Sequence, residues 1–336
     1  MDRRRFIRNA TGVTGALVTS SLAQGAATAT PASPARVAFV KTTDRAAGTA
    51  RAIDLLGLPR FAGRDLFVKP NFNSADPPPG STHEATLIAL LRKLQALDAG
   101  PLTLGDRSGM GDTRAVMERK GAFRIAQDAG AKAVVLDELG REEWELVTVP
   151  GMHWQQGFAL PRMVRTAGGV VQTCCLKTHR YGGHFTLSLK NSVGLAAKTV
   201  PGNGHDFMRE LHTSPHQRRM IAEINAGYRP DLVVLDGVEA FVTGGPDQGK
   251  LVAPGVILAG TDRVAIDAVG VALLRSFGTT PEVSRGPVFA QEQLARAVEL
   301  GLGVGSARDI ELVTGDAASA AYAQKIRAVL DDGAAG

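Results

Sequence analysis

Residues 169–179 read Gly169-Val170-Val171-Gln172-Thr173-Cys174-Cys175-Leu176-Lys177-Thr178-His179. A short apolar run of this kind, bounded by polar residues, reads as a buried strand over Gly169–Cys175. Lys177, Thr178 and His179 then stand at its carboxyl end. The same pattern recurs at Arg36–Lys41, Asp65–Lys69, Leu102–Gly105, Lys132–Leu136, Leu232–Asp236 and Val256–Ala259. Amphipathic helical spacing fills the intervals, most clearly over Glu84–Leu97, Arg114–Ala129, Gln217–Ala226, Arg263–Phe277 and Gln291–Leu300. Strands that alternate with helices need crossover connections, so the expected fold is α/β with a mostly parallel sheet. Residues 145–165 and the Gly- and Pro-rich stretch Gly237–Pro254 break the alternation, and each is expected to add an antiparallel hairpin. There is no internal repeat.

The N-terminus is built differently. Asp2-Arg3-Arg4-Arg5-Phe6-Ile7-Arg8 is followed by a softly apolar stretch from Ala10 to Ala23 and by the small residues Ala27-Thr28-Ala29. A basic segment, a short apolar segment and an A-x-A site make a cleavable signal, and the order of residues 2–8 resembles the twin-arginine export pattern. The stretch is too short and too soft for a spanning helix, which needs ~20 strongly apolar residues. The expected organisation is a signal over 1–29, a linker over 30–35, one α/β domain over 36–315, and a C-terminal helix and tail over 316–336. The expected location is the periplasm or the extracellular space, with the twin-arginine translocase as export partner and no stable membrane insertion after cleavage.

Cleavage changes the charge argument. The chain carries a net +5, and residues 1–29 hold four Arg and one Asp, so the mature part carries only +2. No basic stripe of the kind nucleic-acid binders show remains, and nucleic acid is not an expected partner. The two cysteines are adjacent, Cys174 and Cys175. They form neither a disulfide framework nor a cluster-binding motif, and within an apolar strand they read as small buried hydrophobes.

In an open α/β sheet, ligands bind at the carboxyl ends of the strands, so the residues leaving each apolar run are the candidates. One strand ends Lys69-Pro70-Asn71, and Pro70 fixes the direction of exit. Another ends Gly105-Asp106 and runs through Ser108-Gly109-Met110-Gly111 into a helix that Asp112 or Thr113 can cap, an arrangement that can receive an anion. Asp236, with Glu239 close behind, follows the Leu232 strand. Asp262 reads as a helix N-cap. A second constellation is Ser188-Leu189-Lys190-Asn191 with Gly194.

Five of the seven histidines fall between His179 and His216, though the spacing matches no standard zinc signature. Ser214 as N-cap and Pro215 at the first helical position place a helix start between His212 and His216. A nucleophile elbow, a P-loop and paired glycosidase-type acids are all missing from the sequence.

Lys69-Pro70-Asn71, Gly105-Asp106, Lys177-Thr178-His179, Ser188-Leu189-Lys190-Asn191 with Gly194, Asp236-Gly237-Val238-Glu239, Gly245-Pro246 and Ala259-Gly260-Thr261-Asp262 with Asp267 come in a fixed order. This ordered set resembles the bacterial and archaeal family called domain of unknown function 362, over about residues 36–305. The resemblance implies no settled activity. Many members of that family carry ferredoxin-like clusters, and this chain lacks their cysteines, so an iron–sulfur cluster is not expected and the cofactor stays unidentified.

Three functions remain open. The first is catalysis on, or binding of, a small anion. Lys69, Lys177 and Lys190 would supply charge and Asn71 and Asn191 orientation, with His179 or His216 moving protons and Asp106, Asp236 or Glu239 holding a metal or tuning a Lys or His. Lys177, His179 and Lys190 are the catalytic candidates. The second is a metal or metallocofactor carrier, with His179, His212 and His216 as ligands. The third is an envelope protein whose polar residues serve only the fold.

Overall fold

A computed structural model describes residues 33–332. The residues assigned to the export signal, 1–29, lie outside the described part. The strands are β1 (Ala35–Lys41), β2 (Leu66–Lys69), β3 (Leu102–Asp106), β4 (Lys132–Val135), β5 (Trp144–Val147), β6 (Phe158–Pro161), β7 (Gly169–His179), β8 (His184–Thr186), β9 (Leu232–Gly244), β10 (Gly249–Val252), β11 (Val256–Gly260) and β12 (Ile310–Val313). The main sheet runs β12-β1-β11-β9-β7-β2-β3-β4, with β10 attached to β9 and β8 to β7. From β9 to β4 this path is parallel throughout. β11 reverses the direction and pairs antiparallel with both β9 and β1, while β12 is parallel to β1.

Both faces of the sheet are covered, which is why its strands read as continuous apolar runs. Successive side chains of β1 go to opposite cores: Val37 and Phe39 pack with the helix Arg263–Ser276 and with Ala323, Ile326 and Leu330 of the C-terminal helix. Ala38 and Val40 pack with the helices Arg45–Leu56 and Glu84–Ala96. A third apolar cluster, around Trp154, Phe158 and Leu160, lies under the β5–β6 hairpin. Among the described residues, no helix is long and apolar enough to cross a membrane.

Both expected hairpins are present: β5–β6 begins one residue before 145–165, and β10 pairs with the extension of β9 in Gly237–Pro254. The expected N-cap at Asp262 is also present: its Oδ1 accepts from Val264 N at 2.8 Å and Ala265 N at 2.9 Å.

The structure differs from expectation at four points. The strand expected over Leu232–Asp236 runs on to Gly244, so Asp236 lies inside it. The helix expected over Arg114–Ala129 is two helices, Thr113–Arg119 and Ala122–Asp128, because Gly121 adopts a left-handed φ of 66° and ends the first. The helix expected to start at Pro215 starts at Gln217, with His216 in the N-cap position and Ser214 Oγ accepting from His216 N at 3.1 Å. The strand expected to end at Cys175 continues to His179, because a register shift at Cys175–Leu176 lets its last residues pair with both β8 and the extension of β9.

Candidate functional site

β2, β3 and β7 are neighbours, and their carboxyl ends bring Lys69, Asp106 and Lys177 to one edge. Lys69 and Asp106 are buried and paired, Nζ to Oδ1 at 2.7 Å. Asp106 also accepts from Phe72 N at 2.7 Å and from Arg107 N at 2.6 Å, so it fixes the turns after both β2 and β3. Burial pulls the Lys69 ammonium below its ordinary value, and the charge of Asp106 opposes the fall.

Two asparagines bridge the lysines. Asn191 Oδ1 accepts from Asn71 Nδ2 at 3.0 Å and from Lys69 at 3.3 Å, while its Nδ2 donates to Thr173 O at 3.2 Å. Asn71 Oδ1 in turn accepts from Lys177 Nζ at 3.0 Å, and Lys177 also donates to Gly80 O at 2.5 Å.

Gly194 explains the glycine in the motif. A Cβ there would lie 2.8 Å from Lys69 Nζ and 2.9 Å from Asp106 Oδ1. Both atoms are locked by their pairing and cannot yield, so Gly194→Ala is expected to destabilise the fold by about 1–3 kcal/mol, readable as a lowered urea midpoint at unchanged m-value.

Lys190 and Asn191 sit on the short helix Ser188–Asn191, whose first amides are held from behind. Asp267 accepts from Ser188 N at 2.7 Å and from Leu189 N at 2.9 Å. Asp267 is fully buried, and burial raises its carboxyl to about 7 against the pull of those two amides. Lys190 is also buried, but it has neither a hydrogen-bond partner nor an acidic partner among the described residues. Burial, reinforced by Lys177 and Arg107, lowers its ammonium to about 7. Lys177 is lowered to about 8, chiefly by burial.

These side chains surround a void of about 40 Å³, lined by Lys69, Asn71, Asp106, Lys177, Lys190 and Asn191 together with Asn73, Arg107, His179 and Thr186. Four cationic residues face a single carboxylate there. The void adjoins a cleft of about 890 Å³ that shares Asn73, Arg107, His179 and Lys190 with it and continues past Tyr181, Arg209 and His212. Three lining residues carry buried polar atoms without a partner: Asn73 Nδ2, His179 Nδ1 and Thr186 Oγ1. Unmade hydrogen bonds in a buried place are expensive, on the order of 1–3 kcal/mol each, and three around one void are three places for a ligand or water. Burial, then Lys190 and Lys177, holds His179 well below its ordinary value, so its imidazole is neutral at pH 7.

Asp236 and Glu239 fall elsewhere. They clasp Arg45 of the helix Arg45–Leu56, at 2.9 Å and 2.7 Å, and Asp236 also accepts from Thr86 Oγ1 at 2.7 Å. Neither lines the void, so their work is to join two helices to β9. The three candidate metal ligands are not gathered either. His179 and His212 both reach the cleft, but the His216 ring lies tilted against His153, with centroids 4.5 Å apart. Among the described residues no three His, Cys, Asp or Glu side chains are grouped to hold a metal ion.

The Gly-rich turn before Asp112 borders the void and the cleft through Gly109 and is held by internal bonds: Asp112 caps its helix through Ala115 N, Ser108 N donates to Thr113 Oγ1 at 3.0 Å, and Ser108 Oγ donates to Phe72 O at 2.7 Å. Cys174 and Cys175 are buried free thiols, as their place in the strand implies, and burial pushes Cys175 up to about 11.

Arg107, Asn73 and Thr186 escaped the reading by sequence. Arg107 is buried without an acidic hydrogen-bond partner, its Nε donating to Ala196 O at 2.9 Å and its other donors to Val193 O, Ser108 O and Met208 Sδ. The signals were available but weak. Arg107 directly follows the strand-end Asp106, and Asn73 lies two residues beyond Asn71.

No curated protein matches this sequence. Among solved structures, the apoprotein of lactate racemase from Thermoanaerobacterium thermosaccharolyticum is similar at 14% identity with a TM-score of 0.45, over 69% of this chain and 55% of that one. The chain therefore spans about half the length of that structure. Residues 66–272 match the model of the family described as a domain of unknown function (DUF362). That stretch is more than half of the chain and contains Lys69, Asn71, Asp106, Lys177, His179, Lys190 and Asn191, so the protein belongs to the DUF362 family.

Proposed function

We propose that this protein binds a small organic or inorganic anion at the carboxyl edge of β2, β3 and β7, and does so outside the cytoplasm after export. The observation that carries the binding reading is the void itself. An unpaired Lys190 and the unpartnered atoms of Asn73, His179 and Thr186 belong to residues that line it, beside the charges of Lys177 and Arg107. Its volume of about 40 Å³ is about three times the ~10–15 Å³ that a single water needs. It therefore suits the head of a ligand, a carboxylate or one face of a phosphate or sulfate, while the adjoining cleft takes the rest. Charge-assisted hydrogen bonds from several donors are the strong kind, and with Lys69 paired to Asp106 they fall to Lys190 and to the donors that Lys177 and Arg107 have left beyond their bonds within the chain.

The test is thermal unfolding with a panel of sulfate, phosphate and short carboxylates against chloride at matched ionic strength. A ligand that binds only the folded chain raises the midpoint with the logarithm of its concentration. The reading requires such a rise in the wild type and its loss in Lys190→Ala. Equal midpoints across the panel would remove it.

Support for export comes from Arg3-Arg4-Arg5-Phe6-Ile7-Arg8 and the small residues at 27–29. In a host with a twin-arginine translocase, the protein is expected in the periplasmic fraction in shortened form. Replacing Arg3 and Arg4 together by Lys is expected to leave it full-length in the cytoplasm.

A further inference from the structure

We propose that Lys190 is an imine-forming lysine, whose amine condenses with the carbonyl of a small 2-oxo acid held by its carboxylate in the void. This rests on the anion-binding reading above and names its substrate class. The first support is availability. The other two lysines of the void are committed, Lys69 to Asp106, Pro70 O and Asn191, and Lys177 to Asn71 and Gly80 O. Lys190 alone among them carries an amine without a partner among the described residues.

The second support is position. Asp267 fixes the start of the helix that carries Lys190, and the lysine stem runs close against Gly183, where a Cβ would lie 2.4 Å from Lys190 Cε. The same Cβ would lie 3.3 Å from His179 Nδ1, so the lysine stem and the unpartnered imidazole nitrogen flank one spot. Lys190 and His179 line both the inner void and the outer cleft, which places them at the neck between the two. A 2-oxo acid fits this order. Its carboxylate enters the inner void toward Lys177 and Thr186, which line the void and not the cleft, its carbonyl carbon stops at the neck beside Lys190, and its remaining chain lies in the cleft.

The chemistry closes without an oxidant or a second reactant. The lone pair of Lys190 Nζ forms the C–N bond as the π bond of the carbonyl opens onto oxygen. A proton then passes from nitrogen to that oxygen, with the neutral His179 Nδ1 placed to relay it, and a carbinolamine results. A further proton from solvent lets the oxygen leave as water, and the C=N bond of a protonated imine remains. An amine attacks only when unprotonated, and a desolvated lysine next to other cations is the usual device for providing one. The fall of Lys190 to about 7 through burial, Lys177 and Arg107 is in keeping with that.

The experiment is reductive trapping. The purified protein is incubated with pyruvate and cyanoborohydride, digested, and mapped by mass spectrometry, with propionate, the same acid without the oxo group, as binding control and competitor. The expected result is a reduced pyruvate adduct on the Lys190 peptide, suppressed by excess propionate and lost when the protein is denatured first. Lys190→Arg, which keeps the cation but cannot form an imine, is expected to remain stabilised by propionate and to lose the adduct. Circular dichroism confirms that the variant is folded, and the wild-type peptide map locates the adduct without it. Propionate stabilisation with no adduct on Lys190, or with the adduct on Lys177 instead, overturns the imine and leaves anion binding standing. Neither stabilisation nor adduct overturns both.

Discussion

Replacing Asp106 by Ala is expected to destabilise the protein by about 3–5 kcal/mol, the range for removing one partner of a buried ion pair. The size follows from what is left behind. Lys69 is 1% exposed and would keep only Pro70 O and Asn191 Oδ1 as partners for a charge buried without its counter-ion. Phe72 N would lose its acceptor in the same step, and Arg107 N would keep only Gly194 O at 3.1 Å. Urea unfolding measures the loss. A partner experiment separates the stranded charge from mere loss of packing. Lys69→Met combined with Asp106→Leu removes both charges together and is expected to be less destabilised than Asp106→Ala alone, since an apolar pair replaces a broken ionic one. A loss under about 1 kcal/mol for Asp106→Ala would match an exposed pair and would contradict the buried geometry. Because Asp106 also holds the turn that carries Asn71 and Asn73, stabilisation of the variant by anions should disappear with it.

The second large effect is on the anion, and its pH dependence has a definite sign. Burial, with help from Lys177 and Arg107, lowers Lys190 from 10.5 to about 7, and burial lowers Lys177 from 10.5 to about 8. An anion prefers the protonated forms, so its affinity is full below 7 and falls as pH rises through 7 and then 8, by up to about tenfold per pH unit for each lysine that titrates. The unliganded protein moves the other way. Above 7 the unfolded chain, with lysines near 10.5, holds protons that folded Lys190 has released, so stability contributed by this residue increases with pH up to about 10.5. Thermal unfolding with and without sulfate, which does not itself titrate in this range, reads both trends in one series. Lys190→Met is expected to weaken sulfate by about tenfold to a hundredfold at neutral pH, the value of a charge-assisted hydrogen bond of about 1.5–3 kcal/mol, and to remove the transition near 7. A sulfate affinity that is flat from about pH 6 to about pH 9 would mean that neither lysine touches the ligand.

The clasp at Arg45 shows where reading by residue type misleads. Asp236 stands at the end of an apolar run, as Asp106 does, and both are acidic residues one would place in a site. Asp106 belongs to β3, two strands from β7, and its neighbour across the edge is Lys69 on β2. Asp236 belongs to β9, on the side of the sheet where the direction reverses at β11, and what comes within reach there is Arg45 and Thr86 from two helices. The end of an apolar run was the same signal in both, but β3 ends at Asp106 while β9 runs on past Asp236 to Gly244. His216 follows the same logic: its place near a helix start was legible, but its ring lies on His153, which comes from the segment following β5.

Much of the polypeptide's plan was set by local pattern alone. The apolar runs that became β1, β2, β3, β4, β7, β9 and β11 are visible because a strand covered on both faces has no polar side to interrupt it. The cap at Asp262 and the two hairpins are legible for a similar reason, being decided by residues close together in the chain. Lys69, Asn71, Asp106, Lys177, Lys190 and Asn191 could be named as a set from their order, and the sheet does bring them to one void. What the chain could not disclose is which charges cancel and which stay free. Lys69, Lys177 and Lys190 are alike as letters, yet one faces a carboxylate, one is tied to an asparagine and a carbonyl, and one has no partner among the described residues. That difference depends on contacts between residues as far apart as 69 and 191, and on the exclusion of water around them, both of which exist only once the strands have been laid side by side.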